Sequence, residues 1–430
     1  MNTTTRRSFL GLVGAGTATV AVNTLGTRFA FATPESPLTG DVLVIVFMRG
    51  GMDGLSLVAP SAMPSYQALR PTIRIKDPSE FAEPTGKAAL PLTSGGNVDP
   101  FALSGTLGMH PSMASLHQGA WSDGRLAIVH AAGMPAVESD TRSHFEAQQY
   151  WEQGSRSLNV TSGFVNRYLG GLTGLDRLGA VGRGSTLQAS LRGPAPAFSM
   201  SSIAGFGVNG FPSNSKARTA LMSLYHHGAD LIEETGAGTL DVVNLLGGLP
   251  ADTGPQNGAV YGTDSLSTNL REVARLIRGN VGLRVVAVDY GGWDTHTTMG
   301  APEDPTGYMS RQVASVATAL QAFYTDLGAA RDEVTLVTLS EFGRTIDENG
   351  SGGTDHGRGN VMFALGGKIR GGVHGDFPST VSQGPEGDLA VLNDYRRVLS
   401  EILQVRCGAS NLTAIFPTYV QQSPLGLAIS

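Results

Sequence analysis

Two histidines and several carboxylates in this chain stand at spacings that suit metal-assisted chemistry. Asp294 and His296 close the stretch Gly291-Gly292-Trp293-Asp294-Thr295-His296, and His356 lies in Gly353-Thr354-Asp355-His356-Gly357. Asp53 follows Arg49-Gly50-Gly51-Met52, and Glu341 belongs to Ser340-Glu341-Phe342-Gly343-Arg344-Thr345. Carboxylate oxygens mixed with imidazole nitrogens form a donor set that suits zinc or manganese better than calcium, which takes oxygen alone. If Asp53, Asp294, His296, Glu341 and His356 converge, they can hold one or two divalent ions. Each also has a plainer reading, because Asp and Gly after a strand commonly make a turn. His296 beside Trp293 equally suits a packed loop histidine.

A second group spans Asp140-Thr141-Arg142-Ser143-His144-Phe145-Glu146-Ala147-Gln148-Gln149-Tyr150-Trp151-Glu152 and puts hydroxyls where a helix begins. Free N–H groups there attract anions, so Ser143, or second to it Thr141, is the candidate nucleophile. Arg142 and Arg344 are candidate clamps for anionic oxygens. The competing readings are an N-cap for the hydroxyls and ordinary ion pairs for the arginines. Neighbouring helical residues point about 100 degrees apart. Ser143 and His144 therefore cannot both face one ion, and Ser143 is taken as the inward one.

The elements that must position these groups are readable as apolar runs. VLVIVFM at 42–48 is a strand buried on both faces, and similar runs stand at 125–131, 283–288, 334–340 and 360–366. Helical patterns lie between them at 112–118, 142–152, 264–278, 309–328 and 391–405, the last with Leu392, Tyr395, Val398, Leu399 and Ile402 on one face. Strands alternating with helices predict an α/β fold, three layers α/β/α around a mostly parallel sheet. In such a sheet ligands bind beyond the carboxyl ends of the strands, which is where the acids and histidines fall. The stretch 171–262 is rich in Gly, Ser, Ala and Pro and reads as an insertion or cap over the sheet.

Composition narrows the function classes. The chain has 30 Lys+Arg against 36 Asp+Glu, a formal net charge of -6, so no basic excess supports nucleic-acid binding. One cysteine, Cys407, excludes an intramolecular disulfide and any multi-cysteine metal site. Thr4-Thr5-Arg6-Arg7-Ser8-Phe9-Leu10, an apolar Gly/Ala-rich stretch and Ala30-Phe31-Ala32 read as a twin-arginine signal peptide over residues 1–32, ahead of a mature domain at 33–430. The apolar stretch is broken by Gly, Thr and Asn23 and is too short to span a bilayer. Export by the twin-arginine translocase to the periplasm or beyond is the expectation, with no membrane span in the mature form.

The motif order resembles the alkaline phosphatase and sulfatase superfamily, and more closely the exported family called domain of unknown function 1501. The resemblance rests on RGGMDGL at 49–55, HPSMASLHQ at 110–118, SHFEAQQYWEQG at 143–154, GGWDTH at 291–296, SEFGRT at 340–345 and GTDHG at 353–357. It implies an alkaline-phosphatase-like fold in which Asp53 stands for the first-strand metal aspartate. Asp294, His296 and His356 would stand for the ligands of one ion, and Glu341 for an acid of a second. Phe342 replaces the histidine of an Asp-His pair, and the 294–296 spacing is shorter than the phosphatases' four-residue spacing. The implied activity is that of an exported metal-dependent hydrolase-like protein acting on a phosphate or sulfate ester, its partner an anionic small-molecule or polymer ester. The alternative is a non-catalytic exported metal- or partner-binding protein on the same fold.

Overall fold

The computed structural model describes residues 41–430 except 84–85, 93–106, 137, 139–140, 158, 177, 208–215, 226–230, 380 and 382–386. The expected signal peptide at 1–32 lies outside the described residues.

The strands of the main sheet are β1 (Val42–Met48), β2 (Leu126–Gly133), β3 (Ala180–Arg183), β4 (Phe198–Met200), β5 (Val285–Tyr290), β6 (Val334–Leu339), β7 (Asn360–Leu365), β8 (Gly372–His374) and β9 (Asn393–Asp394). Their order is β8-β2-β7-β6-β1-β5-β3-β4, with β9 pairing β2. β1 lies parallel between β5 and β6, while β7 runs antiparallel to both β2 and β6. The sheet is therefore mostly parallel, as the alternation of strand and helix predicts. Because β7 alone is reversed, its first residue stands at the edge where the parallel strands end. The loop before β7 thus joins the loops after β1, β5 and β6.

β1 shows why helices cover both faces. Val44, Val46 and Met48 pack into one core with Leu266, Leu270 and Val273 of α2 (Ser265–Arg278) and Val313, Val316 and Leu320 of α3 (Tyr308–Leu327). Leu43, Ile45 and Phe47 point the opposite way and pack with Tyr395, Val398, Leu399 and Ile402 of α4 (Tyr395–Val405). Alternation along one strand feeding two cores makes the three layers. Leu392, expected on the inner face of that last helix, is exposed and precedes it, because the Asp394 side chain accepts the Arg396 N–H and starts the helix there.

The stretch 171–262, expected as an insertion or cap, contributes two strands to the sheet itself. β3 pairs parallel with β5, and β4 extends the edge. These strands are only four and three residues long, and the Gly/Ser-rich surroundings gave no apolar run to mark them. Helices Lys216–Tyr225 and Leu231–Gly247 follow. No helix among the described residues is long and apolar enough to cross a membrane.

Candidate metal centre

The helix α1 (His144–Gln153) begins just beyond the β2 edge of the sheet. Ser143 is its N-cap residue, exposed, and its side chain makes no capping bond. Thr141 Oγ1 donates to Glu146 (2.6 Å) and accepts the Ser143 N–H (3.2 Å). His144 is the residue that turns inward.

Three imidazoles meet, His144 from the first turn of α1 and His296 and His356 from the loops after β5 and before β7, and each has its Nδ1 tied to an acceptor. His144 Nδ1 donates to Glu341 Oε1, His296 Nδ1 to Asp355 Oδ1 and His356 Nδ1 to the Arg142 carbonyl, each at 2.8 Å. These partners can only accept at neutral pH, so the hydrogen of each neutral ring sits on Nδ1 and every Nε2 presents a lone pair. Yet His356 Nε2 lies 3.1 Å from His144 Nε2 and 3.0 Å from His296 Nε2. Two lone pairs cannot make a hydrogen bond. Without a cation, both contacts would require imidazolium donors crowded beside the Arg344 guanidinium; one shared cation satisfies them together.

Asp294 completes the set. Its Oδ1 stands 3.5 Å from His144 Nε2, 3.3 Å from His356 Nε2 and 3.0 Å from His296 Nε2. His144, Asp294 and His356 are the donors whose ligand atoms all lie within 4.8 Å of one another, and His296 adjoins that triangle at two corners. Zinc bonds of roughly 2.0–2.1 Å in a tetrahedron imply ligand edges of about 3.3–3.4 Å. The triangle fits that size, and its mixed nitrogen and oxygen donors fit zinc or manganese.

The surrounding charges tune these donors. Glu341 is buried, and although burial pushes its carboxyl up, bonds from His144, Gln148 (2.9 Å) and the Gly50 N–H (2.8 Å) outweigh it and hold it below the usual range. The bond to Glu341 in turn raises the basicity of His144. Burial and the nearby Arg344 charge lower that of His356. Burial pushes Asp294 up, but Arg344 and His356 outweigh it and bring the carboxyl to about 2. Asp294 nevertheless keeps 51% of its side chain exposed, so the centre is open to solvent on that side.

Of the residues singled out in the sequence, Asp294, His296 and His356 come together. Glu341 touches the centre through His144. Asp53 does not supply a donor: its carboxylate takes a two-pronged bond from Arg70 (2.5 and 2.9 Å) and a third from Ser56 Oγ (2.5 Å), with both charged groups buried. A guanidinium of the same chain has satisfied that acid. Arg344, expected as a clamp, is a buried brace whose donors go to the carbonyls of Gly50, Gly51, Trp293 and Thr354, to Asp294 Oδ1 (2.5 Å) and toward His296 Nε2 (3.3 Å). Arg142 likewise donates to the His356 carbonyl and pairs with Asp388 (3.5 Å). Phe342 packs at 4.8 Å between ring centroids against both His144 and His356, holding their planes. Gly51, at φ +64, makes room for it, since a Cβ there would stand 2.3 Å from the Phe342 ring.

His144 supplies an imidazole to the cluster, whereas the sequence reading took its neighbour Ser143 as the inward residue. The signal was present. Ala147 and Trp151 are buried and Gln148 bonds Glu341, so positions 144, 147, 148 and 151 share the inner face of α1.

Residues 259–391 match the family model described as protein of unknown function (DUF1501). The matched segment contains Asp294, His296, Glu341, Arg344, Asp355 and His356, with the motifs at 291–296, 340–345 and 353–357; Asp53 and His144 precede it. No curated protein matches this chain. Among solved structures, the C-terminal periplasmic domain of EcEptC from Escherichia coli is similar over 93% of this chain and 93% of its own, at 10% identity and a TM-score of 0.36. The alkaline phosphatase from the Antarctic bacterium TAB5 is similar over 76% of this chain and 92% of its own, at 11% identity and a TM-score of 0.28. The lipoteichoic acid synthase LtaP from Listeria monocytogenes is similar over 95% and 80%, at 9% identity and a TM-score of 0.26.

Proposed function

We propose that this chain is an exported metal-dependent hydrolase-like protein acting on a phosphate or sulfate ester. The observation that carries the reading is the convergence of three Nε2 lone pairs on the exposed Asp294 carboxylate, with each Nδ1 tied back to an acceptor. A solvent-facing side, here the half-exposed Asp294 carboxylate, is what a catalytic rather than a structural metal site requires. Zinc or manganese bound there would act as a Lewis acid toward an ester oxygen and lower the pKa of a coordinated water or alcohol.

The chain's own residues supply position. Glu341, Asp355 and the Arg142 carbonyl keep the imidazoles turned to the centre, as outer partners of metal-bound histidines do. Ser143 is the candidate attacking group, because as the extended N-cap residue (φ -81, ψ 119) it is not bound by the helical offset that separates neighbours within α1; Thr141 is held by Glu146 and stands behind it. Export through the twin-arginine pathway rests on Arg6-Arg7 and the stretch that follows.

A second reading, a non-catalytic metal-binding protein, is favoured by Phe342, whose ring packs on two of the histidines where the resemblance would place a ligand of a second ion. One experiment separates the readings: metal analysis of the purified chain, with turnover of aryl phosphate and aryl sulfate esters by wild type and Ser143→Ala. Hydrolysis that falls by orders of magnitude in the variant while the metal stays supports a Ser143 nucleophile. Unaltered turnover removes Ser143 from the chemistry. Bound metal without hydrolysis of any ester selects the second reading, and absence of metal binding sinks both.

A further inference from the structure

Resting on the metal-centre reading, we propose that Asn349 is the positioning residue that brings His296 to the ion as a donor. One amide ties down both the main chain of His296 and the acid that turns its ring.

The imidazoles of the centre are not equally held. His144 belongs to a helix, and His356 stands just before β7 with its Nδ1 on the Arg142 carbonyl. His296 lies in the stretch 291–307 between β5 and α3, which carries no helix or strand of its own. Its side chain is 40% exposed, against 23% for His144 and 20% for His356. A histidine so placed needs its position set by groups outside its own loop.

Asn349 supplies them from the loop that carries Asp355 and His356. Its Nδ2 donates to the His296 carbonyl (2.9 Å) and reaches Asp355 Oδ1 (3.4 Å), the oxygen that accepts the Nδ1 hydrogen of His296. Its Oδ1 accepts the N–H groups of Ser351 (2.9 Å) and Gly353 (3.1 Å), which closes the turn leading to Asp355 and His356. A reversed amide would set its hydrogens against those two N–H groups, so only this orientation satisfies both ends.

The turn starts from a fixed point. Glu348 accepts the N–H groups of Thr72 (2.8 Å) and Ile73 (3.2 Å), and its own N–H donates to the Leu69 carbonyl (2.9 Å). The two loops also run against each other, with the Thr298, Met299 and Thr354 N–H groups donating to the carbonyls of Ser351, Gly352 and Thr295. Gly353 passes so close that a Cβ on it would stand 2.2 Å from the His296 carbonyl carbon. Those backbone bonds fasten residues on either side of His296; Asn349 fastens His296 itself.

The test uses the full chain and compares wild type, Asn349→Ser, His296→Ala and the double variant. Serine keeps an oxygen that can close the turn and loses the amide that reaches His296. Calorimetry should show zinc bound about 10–100-fold more weakly by Asn349→Ser, the range for lost outer partners of metal-bound histidines, while the urea midpoint of the metal-free protein stays close to wild type. In the His296→Ala background the same serine should cost nothing further, because its effect runs through that imidazole. Unchanged zinc affinity in Asn349→Ser or in His296→Ala, or an equal loss from the serine with and without His296, overturns the inference and leaves the metal centre standing. A wild-type chain that takes up no zinc overturns the centre itself, and this inference with it.

Discussion

Two polar clusters lie beyond the end of β1, and they have settled their charges in opposite ways. On one side, Asp53 and Arg70 form a buried pair in which the acid accepts two bonds from the guanidinium and one from Ser56, while Arg70 also donates to the Thr345 and Ile346 carbonyls. On the other, Asp294 and three imidazoles offer more lone pairs than the single donor fork of Arg344 can occupy. The first cluster is closed and needs nothing from outside; the second is short of positive charge and partly exposed. An acid at a strand end is thus no sign of a metal. The sign is an excess of acceptors over the donors that the fold itself provides.

The sharpest way to break this comparison is Arg70→Met, which should cost about 3–5 kcal/mol in urea unfolding, because a buried carboxylate is left without its partner. A cost near zero would show that Asp53 is not closed off, and a gain in metal affinity would make it a donor after all. Next in size, His144→Ala should weaken zinc binding by more than about a hundredfold in calorimetry with the circular dichroism unchanged, since loss of outer partners alone typically costs 10–100-fold. Unaltered affinity would assign His144 to packing against Phe342. Glu341→Gln keeps an oxygen opposite His144 but removes the charge, and a loss of about 10–100-fold in affinity is expected. An equal effect on unfolding and none on zinc would mark Glu341 as purely structural.

The most gradual effect, about 1.4 kcal/mol for each pH unit, concerns the closed side. His130, on β2 near Asp53 and Arg70, donates from Nε2 to the Val58 carbonyl and accepts the Ala131 N–H at Nδ1, both at 2.8 Å. Burial lowers its pKa to about 4, whereas the unfolded imidazole binds a proton near 6.5. The folded form is favoured above about 6.5, and that share of stability is lost as pH falls toward the folded value. Wild type should lose about 1.4 kcal/mol more than His130→Gln for each pH unit between those limits. Parallel stability curves for the two proteins would show that His130 is protonated in the fold.

Much of the architecture could be read in the sequence because buried strands advertise themselves. VLVIVFM could be little else, and the reversed β7 still carried its apolar run. The short strands β3 and β4 did not stand out among glycines and serines, since three or four residues make no pattern. At the centre, Asp294, His296 and His356 were identifiable by type and by position after or before a strand. Asp53 had the same type and the same position, and its partner Arg70, 17 residues on, gave no periodic signal to say that the acid was taken. Ser143 and His144 were one helical step apart, and only the inward face marked by Ala147 and Trp151 could choose between them.

The spacing of the donors along the chain bears on when the centre can exist. His144 and His356 are 212 residues apart, and Asp294 stands 62 before His356, on segments whose places are set by β2, β5 and the reversed β7. Closing such long loops is costly in entropy and comes late in assembly. On a chain still emerging a cation would find only the neighbouring Asp294 and His296, too few donors to serve as a nucleus around which the sheet forms. Uptake of an ion at this site would instead report that β2, β5 and the reversed β7 have already come together.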